Sequence, residues 1–447
     1  MRFERRLLLG GSAATTLLAG LPGVAAAADN GPIDTGDTAW LLVATALVMV
    51  MLPGLALFYG GLVRSKNVLS TIMHSFFGLA LVSVAWVLVG FSLAFGRDVG
   101  GFGLIGNPFD FIGFINVGLG SNASYGPTIP FILFAAFQLM FAAITPALIT
   151  GAFAERKRFG AFVLFTVLWS VLVYSPIAHW AWATDGWLYR LGALDFAGGT
   201  VVHASSGVSA LVVALLIGHR AVNGENREPH DIPMTVLGAG LLWFGWFGFN
   251  AGSALGAGGL AANALLVTNT AAGAATITWV LASYVHRRKV SVVGAACGAV
   301  AGLVAITPAS GFVTAGGALA IGLSVGLICY SATLLRERLR IDDALDVFAV
   351  HGVGGTFGAI ATGVFATTAI NTLGRGLIDG NPGQVLTQVL AVGATIVYAV
   401  GSTFVIVKVV DVVLGLRVRA EQEEMGLDLS VHGEVAYQGL THGAPAG

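Results

Sequence analysis

Residues 232–286 read IPMTVLGAGLLWFGWFGFNAGSALGAGGLAANALLVTNTAAGAATITWVLASYVH, 55 residues without one Asp, Glu, Lys or Arg. A helix crosses a bilayer with about 20 apolar residues, so this run holds two crossings joined by a short uncharged turn. Val290 to Leu335, 46 residues, repeats the pattern. The chain is 447 residues long, 56% hydrophobic and only 10% charged, with a mean hydropathy of +0.84. Soluble domains are nearer a quarter charged. These values describe an all-α integral membrane protein. Its formal net charge of −1 says nothing about nucleic acid, and no basic patch suggests such a partner, so none is expected. Cys297 and Cys329 lie in separate apolar runs and read as small core residues rather than a disulfide.

Working outward, the apolar segments predict about eleven spans. They begin near Thr38, Thr71, Pro130, Phe159, Gly198, Pro233, Ala262, Val290, Ala315, Val347 and Val385. Ahead of them, a basic start (M-R-F-E-R-R), a short apolar region and V-A-A-A-A-D form the pattern of a secretory signal. Residues 1–28 are therefore expected to be cleaved, 29–415 to form the membrane domain, and 416–447 a polar tail. Fifteen Lys and Arg fall in alternate loops, from Arg64 and Lys66 to Arg417 and Arg419, against three (Arg97, Arg190, Arg375) in the others. By the positive-inside rule the mature N-terminus lies outside and the C-terminus in the cytoplasm. The 63 glycines suit helix packing through small residues, since lipid supplies no hydrophobic drive between helices.

A repeat runs through the chain. A-I-T-P-A occurs at Ala143–Ala147 and again at Ala305–Ala309, and L-D-F-A-G-G-T-V-V-H (Leu194–His203) is echoed by L-D-V-F-A-V-H (Leu345–His351). Both pairs stand five spans apart, an odd number, so the halves have opposite orientation. The fold expected is two inverted five-helix repeats plus a final helix, with a pathway at the repeat interface.

Of nine histidines, only His203 and His351 lie well inside spans at repeat-related positions. Four readings are open on the residues alone: an interhelical hydrogen bond, bis-histidine haem ligation, a serine hydrolase using Ser205 or Ser206, and a pore or transport site, the default for intramembrane ionisable groups. Asp195 stands just ahead of a helix and reads as an N-terminal cap that also lends electrostatic support. Asp342 and Asp343 follow R-E-R-L-R and are expected to close a cytoplasmic salt-bridge network.

These motifs resemble the ammonium transporters of the Amt/Mep/Rh superfamily, Amt branch. The resemblance rests on L-D-F-A-G-G-T-V-V-H, W-F-G-F-N-A-G-S-A (Trp246–Ala254), D-V-F-A-V-H-G-V-G-G (Asp346–Gly355) and P-G-L-A-L-F-Y-G-G-L-V-R-S-K-N (Pro53–Asn67). A-F-Q-L-M-F-A-A-I-T (Ala136–Thr145), G-A-F-A-E-R (Gly151–Arg156), A-G-L-V-A-I-T-P-A-S-G (Ala301–Gly311) and H-G-E-V-A-Y (His432–Tyr437) extend it over essentially the whole mature chain. It implies a homotrimer in a bacterial inner membrane, each protomer with its own pore, acting without a cofactor, metal or enzymatic step. By the same resemblance Phe137, Phe141, Trp182 and Ser253 recruit ammonium, and Phe141 and Phe249 form a gate. Asp195 supports the site, and His203 and His351, with Trp246, line a hydrophobic pore. The loop W-A-W-A-T-D-G-W-L-Y-R-L (Trp180–Leu191) offers two tryptophans, of which Trp182 rather than Trp180 is matched. The resemblance further implies that the tail packs under neighbouring protomers and that a PII-type signalling protein plugs the cytoplasmic face. An ammonium sensor of the same fold is the alternative reading.

Overall fold

A computed structural model of the chain describes residues 32–221 and 228–437. The expected leader and the last residues of the tail lie outside the described residues. The eleven spans are α1 (Thr35–Leu62), α2 (Ser65–Phe95), α3 (Phe131–Phe153), α4 (Phe159–Arg190), α5 (Gly199–Ile217), α6 (Ile232–Gly252), α7 (Gly259–Arg287), α8 (Val292–Ile306), α9 (Ala315–Arg338), α10 (Phe348–Phe365) and α11 (Gly383–Leu414). Four of them start where the side chain of Asp34, Asp231, Ser291 or Thr314 accepts a backbone N–H of the first turn, which satisfies a donor the helix itself leaves unpaired.

The eighth span is the exception in length. At 15 residues and about 1.5 Å per residue, α8 covers about 22 Å, short of a hydrocarbon core of about 30 Å. Pro308 has no N–H to continue the ladder, and the chain tightens instead: Ala309 N–H donates to Ile306 O at 2.9 Å and Phe312 N–H to Ala309 O at 2.8 Å. The same pentapeptide keeps its proline inside α3.

The two repeats meet where α5 crosses α10. A Cβ on Gly207 would stand 2.0 Å from Gly352 N, and one on Gly355 would stand 2.8 Å from Ala204 N. The pairings run in opposite directions along the two chains, so the helices cross antiparallel with backbone against backbone. Both begin with a wide π-type turn, Gly199–Ala204 and Phe348–Val353, and each turn carries a histidine. Such turns cluster at functional positions because they re-aim side chains out of helical register.

The ends of α1, α3, α5 and α9 gather on one face, where the basic clusters lie. Glu155 accepts from Arg64 Nε at 3.0 Å and Arg220 Nη1 at 3.0 Å, and Arg220 Nη2 reaches Asp342 at 2.7 Å. Burial pushes Glu155 up, but Arg220 and Arg64 outweigh it and hold its carboxyl below the usual range. Asp342 joins this network as expected. Asp343 does not: its Oδ2 accepts Phe348 N–H at 2.7 Å, capping α10. After Leu414 the tail pairs with the α3–α4 turn (Val418 N–H to Arg156 O, 3.0 Å) and continues as α12 (Ala420–Met425). Asp428 then caps α2 through the N–H groups of Leu69 and Ser70. The described tail thus lies against its own chain. Cys297 and Cys329 are both free thiols.

Candidate functional site

On the opposite face, a two-stranded hairpin, β1 (Ser121–Asn122) and β2 (Gly126–Pro130), leans over a cup of about 140 Å3. Phe95, Tyr125, Phe134, Gln138, Phe141, Trp182, Phe196, Ser253 and Leu255 line it, together with Ser124. Trp182 meets Phe141 edge to face, ring centres 6.0 Å apart at 88°, and its Nε1–H donates to Asp195 O at 2.9 Å. Trp180 points elsewhere, donating to Leu104 O and packing on Trp187 and Tyr398. The Ser253 hydroxyl donates to Phe249 O at 2.8 Å, which leaves its lone pairs free to accept. Phe137 stands one layer behind, wholly buried, its ring 4.9 Å from that of Phe141.

Beneath the cup, Phe141 stacks on Phe249 with centres 4.0 Å apart at 25° and closes the floor. Under this pair lies a lumen of about 10 Å3 lined by Met51, Leu55, Phe58, Ile144, Leu148, Leu242, Val300, Trp246, Phe249 and the two histidines. A void of that size holds about one water. Nδ1 of His203 and Nδ1 of His351 are 3.2 Å apart, so one ring donates and the other accepts. His203 stacks on Trp246 at 5.3 Å and 22°, and Trp246 Nε1–H is anchored on Thr307 Oγ1 at 2.8 Å. His203 Nε2 is buried without a hydrogen-bond partner.

Asp195 accepts four backbone N–H groups: Gly198 and Gly199 on Oδ1, Thr200 and Val201 on Oδ2, at 2.7–3.0 Å. It caps the turn that carries His203. Asp343 holds the matching place, since each carboxylate stands eight residues before its histidine. The L-D echo in the sequence instead pairs Asp195 with Asp346. Asp346 corresponds to Gly198: both stand five residues before a histidine, both have left-handed backbones (φ 58° and 110°), and each carbonyl accepts the N–H four residues on.

The geometry also weighs the readings left open by the residues. Facing nitrogens 3.2 Å apart beside a 10 Å3 void leave no space for a porphyrin. The hydroxyls of Ser205 and Ser206 donate back to Val201 O and His203 O in their own helix, so neither is poised as a nucleophile. Sequence reading passed over Gln138, whose buried Oε1 has no hydrogen-bond partner, and Thr307. A polar residue next to Phe137 in an apolar span was the available signal for the first.

A profile of the Ammonium Transporter Family matches residues 39–437. An ammonium transporter of Bacillus subtilis is 51% identical over 405 residues, covering 90% of this chain and 98% of that one. The crystal structure of Saccharomyces cerevisiae Mep2 superposes with a TM-score of 0.85 at 39% identity, covering 93% and 94% of the two chains. A structure titled Sensor Amt Protein superposes at 0.80 with 32% identity over 89% of this chain and 98% of that one. A family profile spanning almost all of the described chain, joined to an inverted bundle with paired histidines at its crossing, makes the assignment: this chain belongs to the Ammonium Transporter Family.

Proposed function

We propose that the protein moves ammonium across a bacterial inner membrane, with the cup facing outward and the basic face in the cytoplasm. Trp182, Phe141 and Ser253 recruit the cation, Phe137 backs them, and Phe141 with Phe249 gates the way down. Ammonia then passes His203, His351 and Trp246, while Asp195 fixes the His203 turn and adds negative potential beneath the cup. The observation that carries this reading is the 3.2 Å histidine pair in an apolar lumen directly under a stacked phenylalanine pair.

The physical argument compares two routes. Carrying an intact cation through dry protein costs on the order of tens of kcal/mol by the Born estimate. Removing a proton from an amine a few pKa units above ambient costs roughly 3–5 kcal/mol, at about 1.4 per unit. Deprotonation wins, and a chain of two imidazoles can accept a proton at one nitrogen and release it at another. Potassium has no proton to lose, so the same route excludes it. Above the gate the balance is different, because aromatic faces hold a cation at about 0.5–2 kcal/mol per ring. We further propose a homotrimer, and a PII-type protein docking on the basic face. The sensor alternative draws no support from the site, where Phe141 of the cup stacks directly on Phe249 of the lumen.

The test of recruitment is liposome current after an ammonium pulse, with Trp182→Leu combined with Ser253→Ala. Apparent affinity should weaken by about tenfold or more, the loss of one ring face and one acceptor, with the maximal rate closer to that of the parent. Unchanged affinity would remove the cup from the pathway.

A further inference from the structure

One buried cluster lies beside the cup and is used by nothing above. His179 is wholly buried in α4, three residues before Trp182. Its Nδ1 stands 3.0 Å from Ala94 O. Its Nε2 stands 3.4 Å from Asp98 Oδ1 and 3.7 Å from Asp185 Oδ1. These three neighbours are all acceptors, so both nitrogen edges of the ring face negative potential. Asp98 is anchored as a carboxylate. Burial opposes its charge, but the N–H groups of Gly103, Leu104 and Ile105 and the nearby His179 outweigh it and hold its carboxyl below the usual range. Asp185 Oδ2 accepts Asp98 N–H at 2.6 Å. Three polar atoms in this knot, His179 Nε2, Asp98 Oδ2 and Asp185 Oδ1, are buried without hydrogen-bond partners. A protonated ring and the two carboxylates are complementary in sign, and the burial of the ring strengthens their attraction. Among the described residues no group of three His, Cys, Asp or Glu has the arrangement of a metal site.

The segments tied here are those that build the cup. Ala94 precedes Phe95, which lines the cup. Helix α4 carries Trp182 one turn after His179. Thr184, next to Asp185, lies beside Tyr125, another lining residue. We propose that His179, Asp98 and Asp185 form an ion cluster around a buried imidazole that sets the position of Trp182 against Phe95 and Tyr125. His179 is then a positioning residue for ammonium recruitment, which rests on the recruitment role given to the cup above. Asp98 and Asp185 keep it seated by charge rather than by packing alone.

The experiment measures apparent Km and maximal rate for ammonium from liposome currents, scaled to the amount of assembled protein by gel filtration. His179→Gln keeps the size and one donor but removes the charge. Km should rise about tenfold, the scale by which a small displacement of a positioning contact acts, with the maximal rate within about twofold of the parent. Adding Asp98→Asn to His179→Gln removes the stranded carboxylate and should bring Km back most of the way, because the larger cost lies in an unpaired buried charge. Asp185→Asn, at a half-exposed carboxylate, should raise Km by about twofold to threefold and serves if His179→Gln fails to assemble. A Km unchanged in His179→Gln and Asp185→Asn while Trp182→Leu raises it would overturn the proposal and leave the cup reading standing. If Trp182→Leu also has no effect, the cup reading itself falls. Failure of Asp98→Asn to restore Km, or a parental Km that responds to chelator and is restored by zinc, would also overturn the charge-based account.

Discussion

The turns that carry the two histidines are built on one plan with different materials. Before His203, Asp195 has both oxygens filled by four N–H groups, and the left-handed position is a glycine. Before His351, Asp343 fills Oδ2 with Phe348 N–H and leaves Oδ1 buried without a hydrogen-bond partner. The left-handed position there is Asp346, paired with Arg336 at 2.7 Å. The first turn opens toward an aromatic cup, the second toward a vestibule of about 580 Å3 with Arg220, Arg287, Arg336, Glu228, Glu337 and Asp346 on its walls. An inverted repeat thus supplies the symmetric pair of imidazoles, and the surroundings break the symmetry. The cup side holds its histidine with backbone donors, and the basic side holds its own with an ionic network.

The contact shared by both halves is where the comparison breaks most completely. Gly207→Val drives a side chain into the Gly352 backbone, and backbone cannot step aside. The loss should exceed about 4 kcal/mol and appear as absence of assembled protein on gel filtration. Gly355→Ala, whose added carbon meets Ala204 N at 2.8 Å, should cost less, and equal losses would contradict the asymmetry of the crossing.

The caps come next. Asp195→Ala leaves four donors without their acceptor, each such loss costing about 1–3 kcal/mol when buried. Asp343→Ala strands fewer. Thermal unfolding in detergent should place Asp195→Ala below Asp343→Ala, and the reverse order would show that the two caps are not built as described.

The smallest effect concerns acid. Glu155 is held below the usual carboxyl range by Arg220 and Arg64 against its burial, so its folded form binds a proton less readily than the unfolded chain. The stability it contributes is complete above the unfolded value, about 4.5 or a little less, and is lost as pH falls through the lower folded value. Glu155→Gln should flatten the decline in melting temperature over that acid range. An unaltered slope would separate the ionic network from the stability of the basic face.

Much of this architecture is legible in the residues. Uncharged runs placed the spans, with starts within a few residues of those in the structure except α2, which opens at Ser65 rather than near Thr71. A polar turn, Ser65–Asn67, hides that start from an apolar reading. The repeat was visible through short echoes, yet the echo misaligned the carboxylates. Asp346 matches Asp195 by its neighbours Leu and Val or Phe, whereas the equivalence depends on distance to the histidine. The shortness of α8 was hidden because A-I-T-P-A continues as helix in α3. The His179 cluster was invisible for another reason: Ala94, Asp98, His179 and Asp185 are brought together by the packing of α2 and α4 ends, and no local pattern marks long-range partners. Phe137 was legible as aromatic but not as second in line behind Phe141.

On the function proposed above, the paired imidazoles carry the proton that ammonium gives up. This is tested most directly by His203→Ala with His351→Ala in liposomes, recording currents for ammonium and for potassium at matched amounts of assembled protein. Gly207, Gly352 and Gly355 are untouched, so the bundle should still assemble. Selective ammonium current should collapse, or give way to a leak that admits potassium. Ammonium current at the parental level with potassium still excluded would contradict the account.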